Sequence, residues 1–176
     1  MGLLAITRRK VEEKPVEVKE EVEDPISALR RRVLCALEYT GNYQEVLMEN
    51  GRCAEVEKMK RFARDRVRDA LVHAGFAVPP SDNGECSWGD ACFDALGVSS
   101  RYLVLGEIKW GEEVSEEEVE SFINRAVKAE ENSRGRELVL FIASLRKLGE
   151  KARALVEKHP KKNFVVSFEE VRPYHL

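Results

Sequence analysis

The run Tyr102-Leu-Val-Leu-Gly-Glu-Ile-Lys-Trp110 constrains this chain more than any other stretch. Read as a strand, it places Leu103, Leu105, Glu107 and Lys109 on one face and Tyr102, Val104, Ile108 and Trp110 on the other. Both faces are apolar along most of their length, as expected of a central strand covered on both sides. Two charges at the end of such a strand are costly unless they are paired, metal-bound or solvated in a cleft. A second β-run, Ala91 to Val98, precedes it and carries Asp94. The short Ser99-Ser100 connection predicts a hairpin. A two-residue loop sets Asp94 opposite Leu105 and diagonal to Glu107. A slightly longer loop sets it directly opposite Glu107.

Helical patterns surround this hairpin. Asp24-Pro25 opens a helix with Ile26, Leu29, Val33 and Leu37 inward, ended by Gly41, with Arg30, Arg31 and Arg32 on a solvated face. From Ala54 to Ala74, helical spacing gathers Val56, Met59, Ala63, Val67, Ala70, Leu71 and Ala74 into one stripe, and Gly75 supplies the stop. Phe76 to Val78 reads as a short strand, followed by Pro79-Pro80 and a polar turn over 81–84. Ser115 and Glu118 form a capping box ahead of Val119, Phe122, Ile123, Ala126 and Val127. Glu137 to Ala143 is a buried strand, Leu145 to His159 a helix stopped by Pro160, and Asn163 to Phe168 a last strand. Strands alternating with helices predict an α/β fold with an at least partly parallel sheet.

Residues 8–24 are almost all Lys, Arg, Glu, Val and Asp, so residues 1–24 read as a mobile charged arm. Residues 25–53 form an N-terminal helical extension, and 54–176 the α/β domain. No apolar run reaches the ~18–20 residues of a membrane span. No signal-peptide pattern is present, and Ile6 breaks the myristoylation pattern. The chain therefore reads as soluble and cytoplasmic, without a membrane partner. High charge (35%), a single glutamine and two threonines fit a heat-adapted protein. A net charge of −3 supplies no global basic field, so nucleic-acid binding requires a local patch. Cys35, Cys53, Cys86 and Cys92 form no CxxC pair and read as buried free thiols. No GxxxxGK or GxGxxG loop occurs.

Two carboxylates brought together by the hairpin attract a hard dication such as Mg²⁺. Lys109, on the face of Glu107, is placed to polarise water or steady charge on a phosphate. That is the arrangement of metal-assisted phosphodiester hydrolysis. The plainer reading of the same residues is an Asp94–Lys109 salt bridge at the sheet end.

The pattern Asp94…Glu107-Ile-Lys109, in the order helix, three strands, helix, strand, resembles the core of the PD-(D/E)XK nucleases. The run Arg64-Asp-Arg-Val-Arg-Asp-Ala-Leu-Val-His-Ala-Gly-Phe-Ala-Val78 is similar to the first helix and strand of archaeal Holliday-junction resolvases. Leu47-Met-Glu-Asn-Gly-Arg-Cys-Ala-Glu55, with Gly106-Glu-Ile-Lys-Trp110, looks like a C-terminal domain of archaeal ATPases. The resemblance covers roughly residues 45–170. It implies a restriction-endonuclease-like mixed sheet flanked by helices, and a metal-dependent nuclease acting on DNA with Asp94, Glu107 and Lys109 catalytic. It also implies Mg²⁺ or Mn²⁺ on Asp94 and Glu107, and a homodimer in resolvase-like relatives. The family usually adds a glutamate on the first helix, where Arg64 stands here. Asp65 faces away from the stripe, and Glu57, two turns before Arg64 on the same edge, is the better substitute ligand.

The arginine at that position and the charged arm favour an alternative: an inactive nuclease-fold module that binds a protein partner through the arm, or nucleic acid. Lys147, Lys151, Lys161 and Lys162 either contact phosphates or form a solvated face. Trp88 and Trp110 either stack on a base or pack in the core. His73, His159 and His175 carry no catalytic pattern with the carboxylates.

Overall fold

The computed structural model describes residues 23–80, 86–111, 113–159 and 162–171. Helix α1 spans Pro25–Glu49 and α2 spans Val56–His73. A small antiparallel pair follows, β1 (Cys86–Trp88) with β2 (Ala91–Phe93). The main sheet contains β3 (Ala95–Val98), β4 (Tyr102–Lys109), β5 (Glu137–Ser144) and β6 (Lys162–Ser167) in the order β3-β4-β5-β6. Helix α3 (Glu116–Ala129) connects β4 to β5, and α4 (Glu150–Lys158) connects β5 to β6. A one-turn helix α5 covers Phe168–Val171. β3 is antiparallel to β4, while β4, β5 and β6 are mutually parallel. The architecture is mixed α/β.

The sheet divides the core in two. Tyr102, Val104 and Ile108 of β4 pack with α1 and α2 on one side, together with Trp110. Leu103 and Leu105 pack with α3 and α4 on the other. Every residue of β4 up to Ile108 is buried, as the two-faced apolar pattern predicts for a central strand. The α1 side chains Leu29, Val33 and Leu37 share their core with the sheet residues Val139 and Phe141.

Several expectations change in three dimensions. Helix α1 does not end at Gly41 but continues through it for two further turns. Gly41 is there for packing: a Cβ at this position meets the Phe168 ring at 2.5 Å. The run Ala91 to Val98 is broken at Asp94, so its first part pairs with β1 and its second with β4. Phe76 to Val78 contributes only an isolated bridge, Ala77 with Val98. The last strand ends at Ser167 and Phe168 opens α5. The Ser115–Glu118 capping box forms as predicted, but Val127 is exposed. Cys35, Cys53 and Cys92 are exposed free thiols rather than buried ones. The predicted arm lies outside the described residues except for Glu23 and Asp24, and Asp24 caps α1 through Ser27. No helix among the described residues is long and apolar enough to cross a membrane.

Candidate functional site

The register of β3 on β4, with Ala95 paired to Gly106 and Val98 to Leu103, carries Asp94 to the position across from Glu107. Ser99 N–H donates to the Tyr102 carbonyl, so Ser100 and Arg101 make the turn. The turn thus falls one residue later than the expected Ser99-Ser100 connection, and this shift gives the register that sets Asp94 across from Glu107 rather than Leu105. Gly106, beside this position, has no room for a side chain, since a Cβ there meets the Phe141 ring at 2.2 Å. Close packing of that ring under β4 holds the strand where Glu107 emerges at its C-terminal end.

Asp94 is 5% exposed and Glu107 is 9% exposed. Each has found a cation. Arg64 of α2 places Nε 2.8 Å and Nη2 2.6 Å from the same Asp94 oxygen, Oδ1. The second oxygen, Oδ2, accepts the Ile108 backbone N–H at 2.8 Å. Arg68, one turn on, donates to the Asp94 carbonyl at 3.3 Å. Arg125 of α3 donates from Nη2 to Glu107 Oε2 at 2.9 Å and from Nη1 to the Cys92 carbonyl at 2.6 Å. Lys109 bonds not to Asp94 but to Glu118 Oε2, at 2.6 Å. Glu118 thereby serves both the α3 capping box and the strand lysine. Three acids, Asp94, Glu107 and Glu118, thus meet three cations, Arg64, Arg125 and Lys109.

The protons respond to this packing. Burial, and then the adjacent Asp94 carboxylate, push Glu107 up to about 7, against the pull of Arg125 and Lys109. A hydrogen bond shared with the Asp94 carboxyl adds to the rise by favouring the protonated form of Glu107. The Lys109 ammonium holds Glu118 below the ordinary carboxylate range.

Glu107, Lys109, Glu118, Ser121 and Arg125 line an open depression of about 330 Å³. The remaining candidates lie elsewhere. Glu57 is exposed in the first turn of α2, and Asp65 is exposed as expected. Lys147 and Lys151 are exposed, Lys162 lies 3.8 Å from Glu137, and Lys161 is outside the described residues. Trp110 is core, its indole N–H donating to Gln44 at 2.8 Å, whereas Trp88 is half-buried. His73 donates from Nδ1 to the Asp69 carbonyl at 2.7 Å, and His175 lies outside the described residues.

Sequence reading passed over Arg125. Its signal was positional: it lies three residues after buried Phe122 and one before buried Ala126, a long cation on the edge of an inward stripe.

The donor set does not fit a dication with the side chains as they stand. Asp94 Oδ1 is filled by two guanidinium nitrogens, Oδ2 by a backbone N–H, and Glu107 Oε2 by Arg125. Among the described residues no group of three or more His, Cys, Asp or Glu is placed to hold a metal ion. A dication also adds charge to a cluster that is already balanced. Comparison with protein-family models, curated proteins and solved structures gives no match.

Proposed function

We propose that this chain is a non-catalytic relative of the PD-(D/E)XK nucleases, kept as a nucleic-acid-binding module whose former metal corner is locked by arginines. The observation that carries this reading is the double hold of Arg64 on Asp94 at 2.6 and 2.8 Å. A guanidinium stands on the first helix where such a nuclease carries an acid, and it takes the oxygen a metal needs. The ligand side of the reading is supported by Lys109, Arg125 and Ser121 around the open depression at the end of β4, where a phosphate would have to draw the two cations from Glu118 and Glu107 and lie beside Glu117. Cations and a hydroxyl at a concave strand end suit backbone phosphates.

The test is binding without a metal. Labelled single-stranded and duplex DNA are titrated with the full chain in EDTA across a salt series. Retention that weakens as salt rises supports the module. Absence of retention at low salt sinks it.

The second reading, an active Mg²⁺- or Mn²⁺-dependent nuclease, draws on the register that sets Asp94 across from Glu107, where burial and the neighbouring carboxylate raise the Glu107 pKa to about 7 and strengthen its hold on a proton. A dication would displace that proton and favour both carboxylates ionised. This reading requires Arg64 to leave Asp94. Calorimetric titration with Mn²⁺, wild type against Asp94→Ala, separates the two. Saturable heat in the wild type alone, with DNA cleavage lost in Lys109→Ala, would establish the nuclease and overturn the module.

A further inference from the structure

Beside the carboxylate depression lies a second cavity of about 460 Å³, between the β1–β2 hairpin and the C-terminal end of α3. Trp88, Asp90, Arg125, Lys128, Glu131 and Asn132 contribute to its walls. Arg125 belongs to both hollows: one of its nitrogens holds Glu107 and another holds the hairpin through the Cys92 carbonyl. A single guanidinium therefore partitions the two. We propose that this second cavity receives a nucleobase, so that a bound nucleotide places its ring against Trp88 and its phosphate toward Arg125 and Lys128.

The wall chemistry is that of a base site. A half-buried indole offers a flat apolar surface, and stacking on an aromatic ring accepts any base. Asp90, Glu131 and the Asn132 amide stand on the same rim, acceptors and a donor for the polar edge of a base. Lys128 is exposed at the rim, where the sugar-borne phosphate of that nucleotide would lie. The indole N–H of Trp88 is buried without an acceptor among the described residues. Buried donors are almost always satisfied, so this one marks a ring whose setting is incomplete. Engaging it requires the indole to tilt, which makes Trp88 fluorescence a direct reporter. The other tryptophan, Trp110, is 1% exposed with its N–H bonded, and serves as a steady background.

This inference rests on the nucleic-acid reading above and names the base-accepting part of the same surface. The experiment is a fluorescence titration of the full chain with guanosine, adenosine, cytidine and uridine 5′-monophosphates, with ribose 5-phosphate as control, all in EDTA. Saturable quenching by at least one nucleotide is expected, with none from ribose 5-phosphate. Lys128→Glu, which keeps the fluorophore, should weaken binding about tenfold. Asn132→Ala should change the order of preference among the bases. Absence of saturable quenching, equal quenching by ribose 5-phosphate, or indifference to both substitutions would overturn the assignment. An oligonucleotide that still binds in those cases would leave the module reading intact. Loss of oligonucleotide binding as well would remove both.

Discussion

Arg64 and Asp94, thirty residues apart, meet with two guanidinium nitrogens on one carboxylate oxygen, at 2.8 and 2.6 Å. Their side chains are 17% and 6% exposed, so both charges are largely shielded from water. Removing one partner strands the other. Arg64→Ala is therefore expected to destabilise the fold by about 3–5 kcal/mol. Asp94→Asn, which keeps an acceptor for the Ile108 N–H, should cost less than Asp94→Ala. Urea denaturation of the three variants measures the order, and an Arg64→Ala loss below about 1 kcal/mol contradicts a buried pair.

The same pair governs metal affinity. Wild type should give no Mn²⁺ heat, since Arg64 occupies Asp94. Arg64→Glu replaces that cation with a third acid beside Asp94 and Glu107. Saturable Mn²⁺ binding is expected in this variant and should vanish when Asp94→Ala is added. Calorimetry decides, and an Arg64→Glu chain that folds but stays silent shows that this corner lacks the geometry for a metal.

Glu107 should give the fold a distinctive pH response. Its pKa rises from the ordinary 4.5 to about 7 on folding, so the folded state binds its proton more tightly than the unfolded chain. Its contribution is fully present below about pH 4.5 and is lost as pH climbs through 7. The slope at its steepest is about 1.4 kcal/mol per pH unit. Glu107→Gln stays neutral throughout and should flatten the fall in stability over that window. Thermal unfolding from pH 5 to 8 reads the difference, and parallel curves for the two proteins refute it.

Gly41 tests the packing of α1 on α5. In a helix interior, Gly→Ala ordinarily stabilises by about 1 kcal/mol. Here the added Cβ meets the Phe168 ring at 2.5 Å, and overpacking costs about 1–3 kcal/mol. Gly41→Ala should therefore lower the melting temperature. Phe168→Leu in the same chain should recover part of the loss, because the obstacle is then smaller. A Gly41→Ala protein melting above wild type shows that the ring moves aside freely.

Much of this protein was legible in its order of residues. Burial on both faces of β4 followed from Leu103 and Leu105 alternating with Tyr102 and Val104, because side-chain direction in a strand has a period of two. The α3 start followed from Ser115 and Glu118, because a capping box is a contact three residues long. Such features depend on neighbours in the chain. Gly41 misled for the opposite reason: its smallness answers Phe168, which sequence places far away. The break at Asp94 likewise depends on the pairing of β2 with β1 and on the N–H of Ile108.

The candidate site shows the same division. Asp94, Glu107 and Lys109 declared themselves, because charge at the end of a doubly buried strand needs a reason. Which partner answers each charge was decided only in three dimensions. Arg64 and Arg125 arrive from helices on opposite faces of the sheet, and Glu118 takes Lys109 away from Asp94. Sequence determined where the charges lie along the strand. The packing of α2 and α3 determined that arginines meet the carboxylates, since electrostatic pairing depends on distance through space and the chain alone does not set it.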